Sequence, residues 1–353
     1  MLGFLLLPGF HRKSRSSDRR LRCSAVDEPW GEASLPRKEW NFRGYKVAYR
    51  SCGEENTERP SLVCVHGFGA HSFHWRRNLR QLGKEYRVYA IDLLGFGFSD
   101  KPQVGELCSE GRPVAYDYDT WSSQVAKFLE QVVGTQSFLV ANSIGCVAAL
   151  QTAVDNPQLV HGVVQFDPSL RLLTVQRRNW IDNITAPLIM KALVNLRPLA
   201  SFFFTNLSNP QTLKKVLKLA YQDEEKIDDQ LVQALRAPAL EPGALDVFLA
   251  FITYDTGPIP EDFLEIIQQP TMIVWGENDQ LEPIKIGRTL ADFSSVEEFV
   301  VLPGVGHCPQ DEAPEQANEI VKAFVERHSS ASTISEGEEA ASLVHPPQGE
   351  HCG

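Results

Sequence analysis

Three residue types that together can break an acyl bond stand at separate places in this chain. They are Ser143 in Ala141-Asn142-Ser143-Ile144-Gly145, Asp279 in "VWGENDQLEP", and His307 in the Gly-rich stretch "VLPGVGHCPQDEAP". A serine hydroxyl is a weak nucleophile until a neighbouring base takes its proton; an imidazole can do so near neutral pH, and a carboxylate then orients the ring and stabilises the imidazolium. Ser143 falls where an apolar run changes period, at a strand-to-helix turn, in the pattern GxSxG with Ala for the first Gly. Such a turn is strained, so positions two before and two after the serine tolerate little beyond a methyl group. Serine is also a preferred helix N-cap, so Ser143 taken alone does not separate a nucleophile from a cap. The tetrahedral stage of acyl transfer needs two donors for its oxyanion, each worth about 3 to 4 kcal/mol. The Ile144 amide, directly after the serine, is one candidate, and the Phe68 amide in "HGFGA" is the other. A second carboxylate, Asp167 in "QFDPSL", is the alternative acid. Asp92 in the Gly-rich "DLLGFGFSD" and His66 read as loop-fixing residues.

The elements that must position these groups alternate. "WNFRGYKVAYRSCG" predicts a hairpin turning at Arg43-Gly44, "SLVCVHG" a strand, "SFHWRRNLRQLG" a helix and "YRVYAIDLLG" a strand. A helix over 119–134 capped by Asp119 or Thr120, a strand over 137–141 and a helix over 144–157 follow, with further strands in "VHGVVQFDP", "PTMIVWG" and "VEEFVVLPG". The order predicts an α/β fold with a mostly parallel, doubly wound sheet whose buried strands read as continuous Val/Ile/Leu runs. About a hundred residues between Pro168 and Pro270 break the rhythm with helical periodicity, which predicts an inserted helical cap over the carboxyl edge of the sheet, where such sheets bind ligands. His74 and Trp75, near the start of their helix, either border the pocket or pack as core. Phe202 and Phe203, in the cap's "LASFFFTN", either pack as core or line an apolar chamber.

The ends differ from the middle. Six of the 34 basic residues and only one of the 45 acidic ones fall within the first 22 positions, interspersed with serines, a transit-peptide composition that predicts import into a plastid, ahead of a mitochondrion. The remainder is therefore strongly acidic and would repel a phosphate backbone, so no nucleic-acid partner is expected. No apolar run reaches the length of about 20 residues that spans a bilayer, which leaves at most peripheral membrane contact. The seven cysteines are odd in number and without CxxC pairs, giving neither a disulfide framework nor a zinc site, and no metal or cofactor is expected. From Ser329 the chain is rich in Ser, Glu, Gly and Pro and is predicted to be disordered. The expected organisation is a leader over 1–23, a linker over 24–39, a core over 40–168 and 270–328, a cap over 169–269 and a tail over 329–353.

From about Trp40 to Arg327 the chain resembles the α/β-hydrolase superfamily, whose members carry Ser, Asp and His in this order. "HGFGAHSFHWRRNL", "YAIDLLGFGFSDKP" and "GVGHCPQDEAP" resemble a plant and cyanobacterial plastid subgroup that includes chlorophyll dephytylases and, more distantly, pheophytinases. The resemblance implies the fold, a Ser143-Asp279-His307 triad and a plastid address. Related dehalogenases and epoxide hydrolases use an aspartate at the elbow, because its alkyl ester can be cleaved by water, whereas a serine attacking the same substrates would leave an inert ether. The expected reaction is hydrolysis of a carboxylic ester through an acyl-enzyme, on a small apolar substrate such as a phytyl or other long-chain ester. A small-molecule receptor of the same fold, and a lyase or acyltransferase reusing the triad, are the alternatives.

Overall fold

A computed structural model describes residues 35–172, 174 and 195–342; the leader falls outside this range. Eight strands form one sheet: β1 (Lys38–Phe42), β2 (Tyr45–Cys52), β3 (Ser61–Val65), β4 (Arg87–Ile91), β5 (Ser137–Asn142), β6 (Val160–Phe166), β7 (Thr271–Gly276) and β8 (Val296–Leu302). Their spatial order is β1-β2-β4-β3-β5-β6-β7-β8. β2 runs antiparallel to β1 and β4, and the pairs from β4 through β8 are parallel. Period-two alternation divides the strand residues between two cores. Val63, Val65, Leu139 and Ala141 join the apolar cluster on one face, and Leu62, Cys64, Phe138 and Val140 join that on the other. Each fully buried Val, Leu or Phe side chain among them contributes roughly 1.5 to 3 kcal/mol of burial, which fixes the register and so the height at which every loop leaves the sheet.

Helix α1 (Tyr118–Phe128) and α2 (Ile144–Asp155) cover one face, and the first core holds α1's Trp121, Val125 and Phe128. Between β6 and β7 lie α3 (Arg197–Leu207), α4 (Pro210–Ala220), α5 (Asp229–Ala239) and α6 (Ala244–Thr253), where periodicity placed cap helices. The final helix, α7 (Pro314–Ser342), covers the other face with Ala317, Val321, Phe324 and Val325.

Three local expectations need correction. The stretch 72–83 is not one helix: amides of His74, Arg76 and Asn78 bond three residues back, and only Leu79–Leu82 makes an α turn. The reason is tethering: the Ser72 amide is taken by Asp92 Oδ1 at 2.7 Å, and Phe73 and Trp75 are buried in different clusters. The cap of α1 is Asp117, whose Oδ1 accepts the Thr120 amide at 2.9 Å, rather than Asp119 or Thr120. Helix α7 continues to Ser342, past Ser329 where composition predicted a disordered tail. Ala and Glu favour helix, no proline intervenes, and extending a formed helix costs far less than nucleating one; residues 343–353 fall outside the described range.

Candidate functional site

The β5–α2 turn holds Ser143 at φ 56° and ψ −124°, a left-handed backbone that costs a non-glycine residue about 1 to 3 kcal/mol. The surroundings hold it there. Its amide donates to the Phe166 carbonyl at 3.0 Å, and its carbonyl accepts the amides of Cys146 at 3.0 Å and Ser169 at 3.1 Å. Small neighbours are obligatory. A Cβ on Gly145 would lie 2.6 Å from the carbonyl oxygens of Val65 and His66, and one on Gly67 would lie 3.0 Å from the Ser143 Cβ. The loop carrying Phe68 therefore lies against the serine. Ile144 opens α2, so its amide has no intrahelical acceptor.

His307 leaves the loop after β8 and is held from three sides. Its amide donates to Ala220 O at 2.7 Å, its carbonyl accepts from Asn142 Nδ2 at 3.0 Å, and the preceding Gly306 amide donates to Glu312 Oε2 at 2.8 Å. Its Nδ1 lies 2.7 Å from Asp279 Oδ2. Asp279 Oδ1 accepts the amides of Leu281 at 2.8 Å and Glu282 at 3.0 Å. Burial alone would push the Asp279 carboxyl up, but the hydrogen bond and charge of His307, with these amides, hold it below the usual carboxylate range. Asp167, directly after β6, is fully buried and accepts the Gly276 amide on Oδ1 at 3.0 Å.

Ser143 and His307 face one cavity of about 290 Å³, at the lower end of small-molecule pockets. Gly67, Phe68, His74 and Asn142 line its floor, and the cap supplies Phe204, Leu213, Leu217, Leu235, Val247 and Phe248. The Phe68 ring stacks on Phe251 of α6 with centroids 4.6 Å apart. Lys101 Nζ ties the Gly-rich loop to the cap, bonding Gly97 O at 2.7 Å and the Glu241 carboxylate.

Of the four pocket expectations, only His74 lines the cavity. Trp75 instead packs in the core beneath it, with Phe166 at 6.3 Å between ring centroids. Phe202 and Phe203 turn outward, 70% and 51% exposed, and Phe204 takes the inward position. Consecutive residues on a helix project about 100° apart, so the three could not all face in, and the pattern did not say which would. Asp92 and His66 fix loops: Asp92 accepts the amides of Ser72 and Phe98, and His66 Nε2 accepts that of Leu93. Asn142 and Glu312, which position His307, were missed; both lie within the motifs already quoted, but nothing in their spacing marks a contact across the sheet.

His74 begins a buried polar chain. Its Nε2 donates to Tyr221 Oη at 2.8 Å, whose hydroxyl donates to Asp311 Oδ2 at 2.9 Å, and Asp311 pairs with Arg76 at 3.2 Å. The donor order follows from Asp311, which can only accept when ionised. Burial, with Arg76 beside it, drives the His74 pKa down to about 3. The unfolded chain takes up a proton near pH 6.5 that the native state refuses until about pH 3, so this contribution to stability is complete above 6.5 and lost as pH falls. At 1.36 kcal/mol per pH unit the loss is about 2 kcal/mol between pH 7 and 5. Urea unfolding of His74→Gln should therefore show an acid-side decline shallower than wild type by about that amount; parallel curves would refute it.

A sequence profile of the alpha/beta hydrolase family matches residues 62–320, and the chain belongs to that family. It is 25% identical to the chloroplastic pheophytinase of Arabidopsis thaliana over 89% of this chain and 72% of that protein. It is 27% identical to the pimeloyl-[acyl-carrier protein] methyl ester esterase of Aeromonas hydrophila, over 75% of this chain and 95% of that one. The crystal structure of a membrane phospholipase A superposes with a TM-score of 0.64 and 25% identity, covering 84% of this chain and 87% of that one. Fold and relatives together define a hydrolase of the α/β class. Among the described residues no helix is long and apolar enough to cross a membrane.

Proposed function

We propose that the protein is a serine hydrolase that cleaves a carboxylic ester with a long apolar chain, a phytyl or similar plastid ester, through an acyl-enzyme. The observation that carries this reading is the shared cavity: Ser143 and His307 open into one apolar chamber, and the histidine is oriented from behind by Asp279 at 2.7 Å. In this reading His307 Nδ1–H donates to the Asp279 carboxylate, leaving Nε2 free to take the Ser143 proton as Oγ attacks the ester carbon. The amides of Phe68 and Ile144 hold the oxyanion. Collapse of the tetrahedral intermediate breaks the C–O bond, and the alcohol leaves with the proton from His307. Water, deprotonated by the same ring, then frees the acid and returns Ser143 to its hydroxyl form.

The aliphatic and aromatic cap walls suit a hydrocarbon chain. The chloroplastic pheophytinase among the relatives and the basic, serine-containing leader support a plastid location. The test is covalent. The purified protein should react with a fluorophosphonate, the adduct should map to the peptide containing Ser143, and turnover should rise with chain length across an ester series. A missing adduct, or one on another residue, would sink the assignment.

A further inference from the structure

We infer that Asp167 stands in the site as an uncharged carboxylic acid that donates its proton to the Asp279 carboxylate, a positioning residue behind the Asp279–His307 pair. The inference rests on the proposed proton-transfer role of that pair. Asp167 directly follows β6, in the left-handed region at φ 43°, its amide bonded to Val274 O at 2.9 Å. The side chain is fully buried, and one ligating atom each of Asp167, Asp279 and His307 lie within 4.8 Å of one another. Oδ1 of Asp167 accepts the Gly276 amide, whereas Oδ2 has no donor among the described residues.

Two carboxylates this close, away from water, cannot both be ionised. The donors decide which keeps the charge. Asp279 accepts two amides and the imidazole; Asp167 accepts a single amide. The lone proton of the pair therefore sits on Asp167 Oδ2, the oxygen otherwise without a partner, facing Asp279. The electrostatics agree in direction. Burial pushes the Asp167 carboxyl well above the usual range and the charge of Asp279 pushes it further, while Asp279 is held low. The other titratable groups around it are Glu282, which accepts the Ser169 hydroxyl at 2.9 Å, and the thiols of Cys146 and Cys308, which burial pushes well up. Among the described residues no lysine or arginine pairs with Asp167 to favour its ionisation over that of Asp279. The acid thus stabilises the charge on Asp279 and fixes the carboxylate plane that His307 meets.

The pH dependence of fluorophosphonate inactivation tests this without knowledge of the natural ester, because its acid limb reports the base that activates the serine. In Asp167→Asn an amide N–H replaces the O–H and no charge is lost, so the acid limb should stay within about 0.3 pH unit of wild type. Were Asp167 ionised, the same substitution would remove a negative charge near His307 and lower the limb by about one unit or more; that result overturns the inference. Asp167→Ala removes the donor but no charge, makes Asp279 more basic, and should raise the limb by about half a unit. An unmoved limb in the alanine variant counts against a positioning role. Infrared spectroscopy needs neither variant to be active: at neutral pH the wild type should show a protonated-carboxyl stretch that Asp167→Asn lacks. A wild type with no such band overturns the inference even if neither variant folds. A wild type that never reacts with the probe instead fails the hydrolase reading and leaves the infrared band to decide on Asp167.

Discussion

Replacing Ser143 by alanine should abolish ester turnover, lowering kcat about 10⁶-fold on the scale set by removal of serine nucleophiles elsewhere, while the folded structure survives. The backbone interactions at the elbow do not involve the hydroxyl: the amide bonds Phe166 O, and the carbonyl accepts from Cys146 and Ser169. Alanine meets the same left-handed φ of 56° as serine and adds no volume beside Gly67. The melting temperature should therefore stay within a few degrees of wild type, a shift that corresponds to about 1 kcal/mol for a chain of this class. What activity remains comes from the oxyanion donors and the cavity, which in related chemistry still exceed water by about 10³- to 10⁴-fold. The kcat per mole of folded protein, measured beside the melting temperature, distinguishes loss of chemistry from loss of fold. A variant retaining more than about 1% of wild-type kcat would mean that another residue attacks, because loss of a serine nucleophile costs about 10⁶-fold in kcat.

The sequence carried the fold well because burial leaves a periodic mark. β3, β5 and β7 are buried at every position and appear as largely apolar runs, and helix α1 appears as an amphipathic stretch. The placement of Ser143, Asp279 and His307 was legible for a related reason: they follow β5, β7 and β8 within one to five residues, and the ends of parallel strands share one edge. Side-chain direction was less legible. Phe202, Phe203 and Phe204 are identical in type, and only the phase of α3 against α6, where Phe204 meets Phe248 at 5.2 Å, decides which one faces the cavity. Trp75 reads as a pocket residue because it adjoins His74, yet the tightly wound turn at 72–75 sends it to the opposite side. Contacts across the sheet leave no local trace at all. Asn142 reaches the His307 carbonyl across 165 positions, and Glu312 binds the cap amides of Gln222 and Asp223 across some ninety. Polar tethers of this kind depend on topology, and they hold the histidine loop in place.

Asp279→Asn should lower kcat about 10⁴-fold, the loss typical of a triad acid replaced by its amide, and the reason lies in two backbone amides. Leu281 and Glu282 both donate to Asp279 Oδ1. An asparagine can satisfy them only with its carbonyl oxygen, which forces its NH₂ into the place of Oδ2, facing His307 Nδ1. Two donors cannot share that contact, so the imidazole must carry its proton on Nε2 and accept on Nδ1. The nitrogen presented toward Ser143 is then already protonated and cannot serve as the base. The size and shape of the side chain are unchanged, so stability should fall by no more than the loss of one charged hydrogen bond, about 1.5 to 3 kcal/mol. Because the hydroxyl itself is intact, a sufficiently reactive fluorophosphonate should still label Ser143, only more slowly, and hydroxide should assist as pH rises. The diagnostic result is thus a large fall in kcat with recovery toward alkaline pH and with the adduct still on the same peptide. If Asp279→Asn kept within about tenfold of wild-type kcat, the acid that orients His307 would have to be Asp167 instead, whose Oδ1 meets only the amide of Gly276 and whose Oδ2 would then be the atom facing the ring.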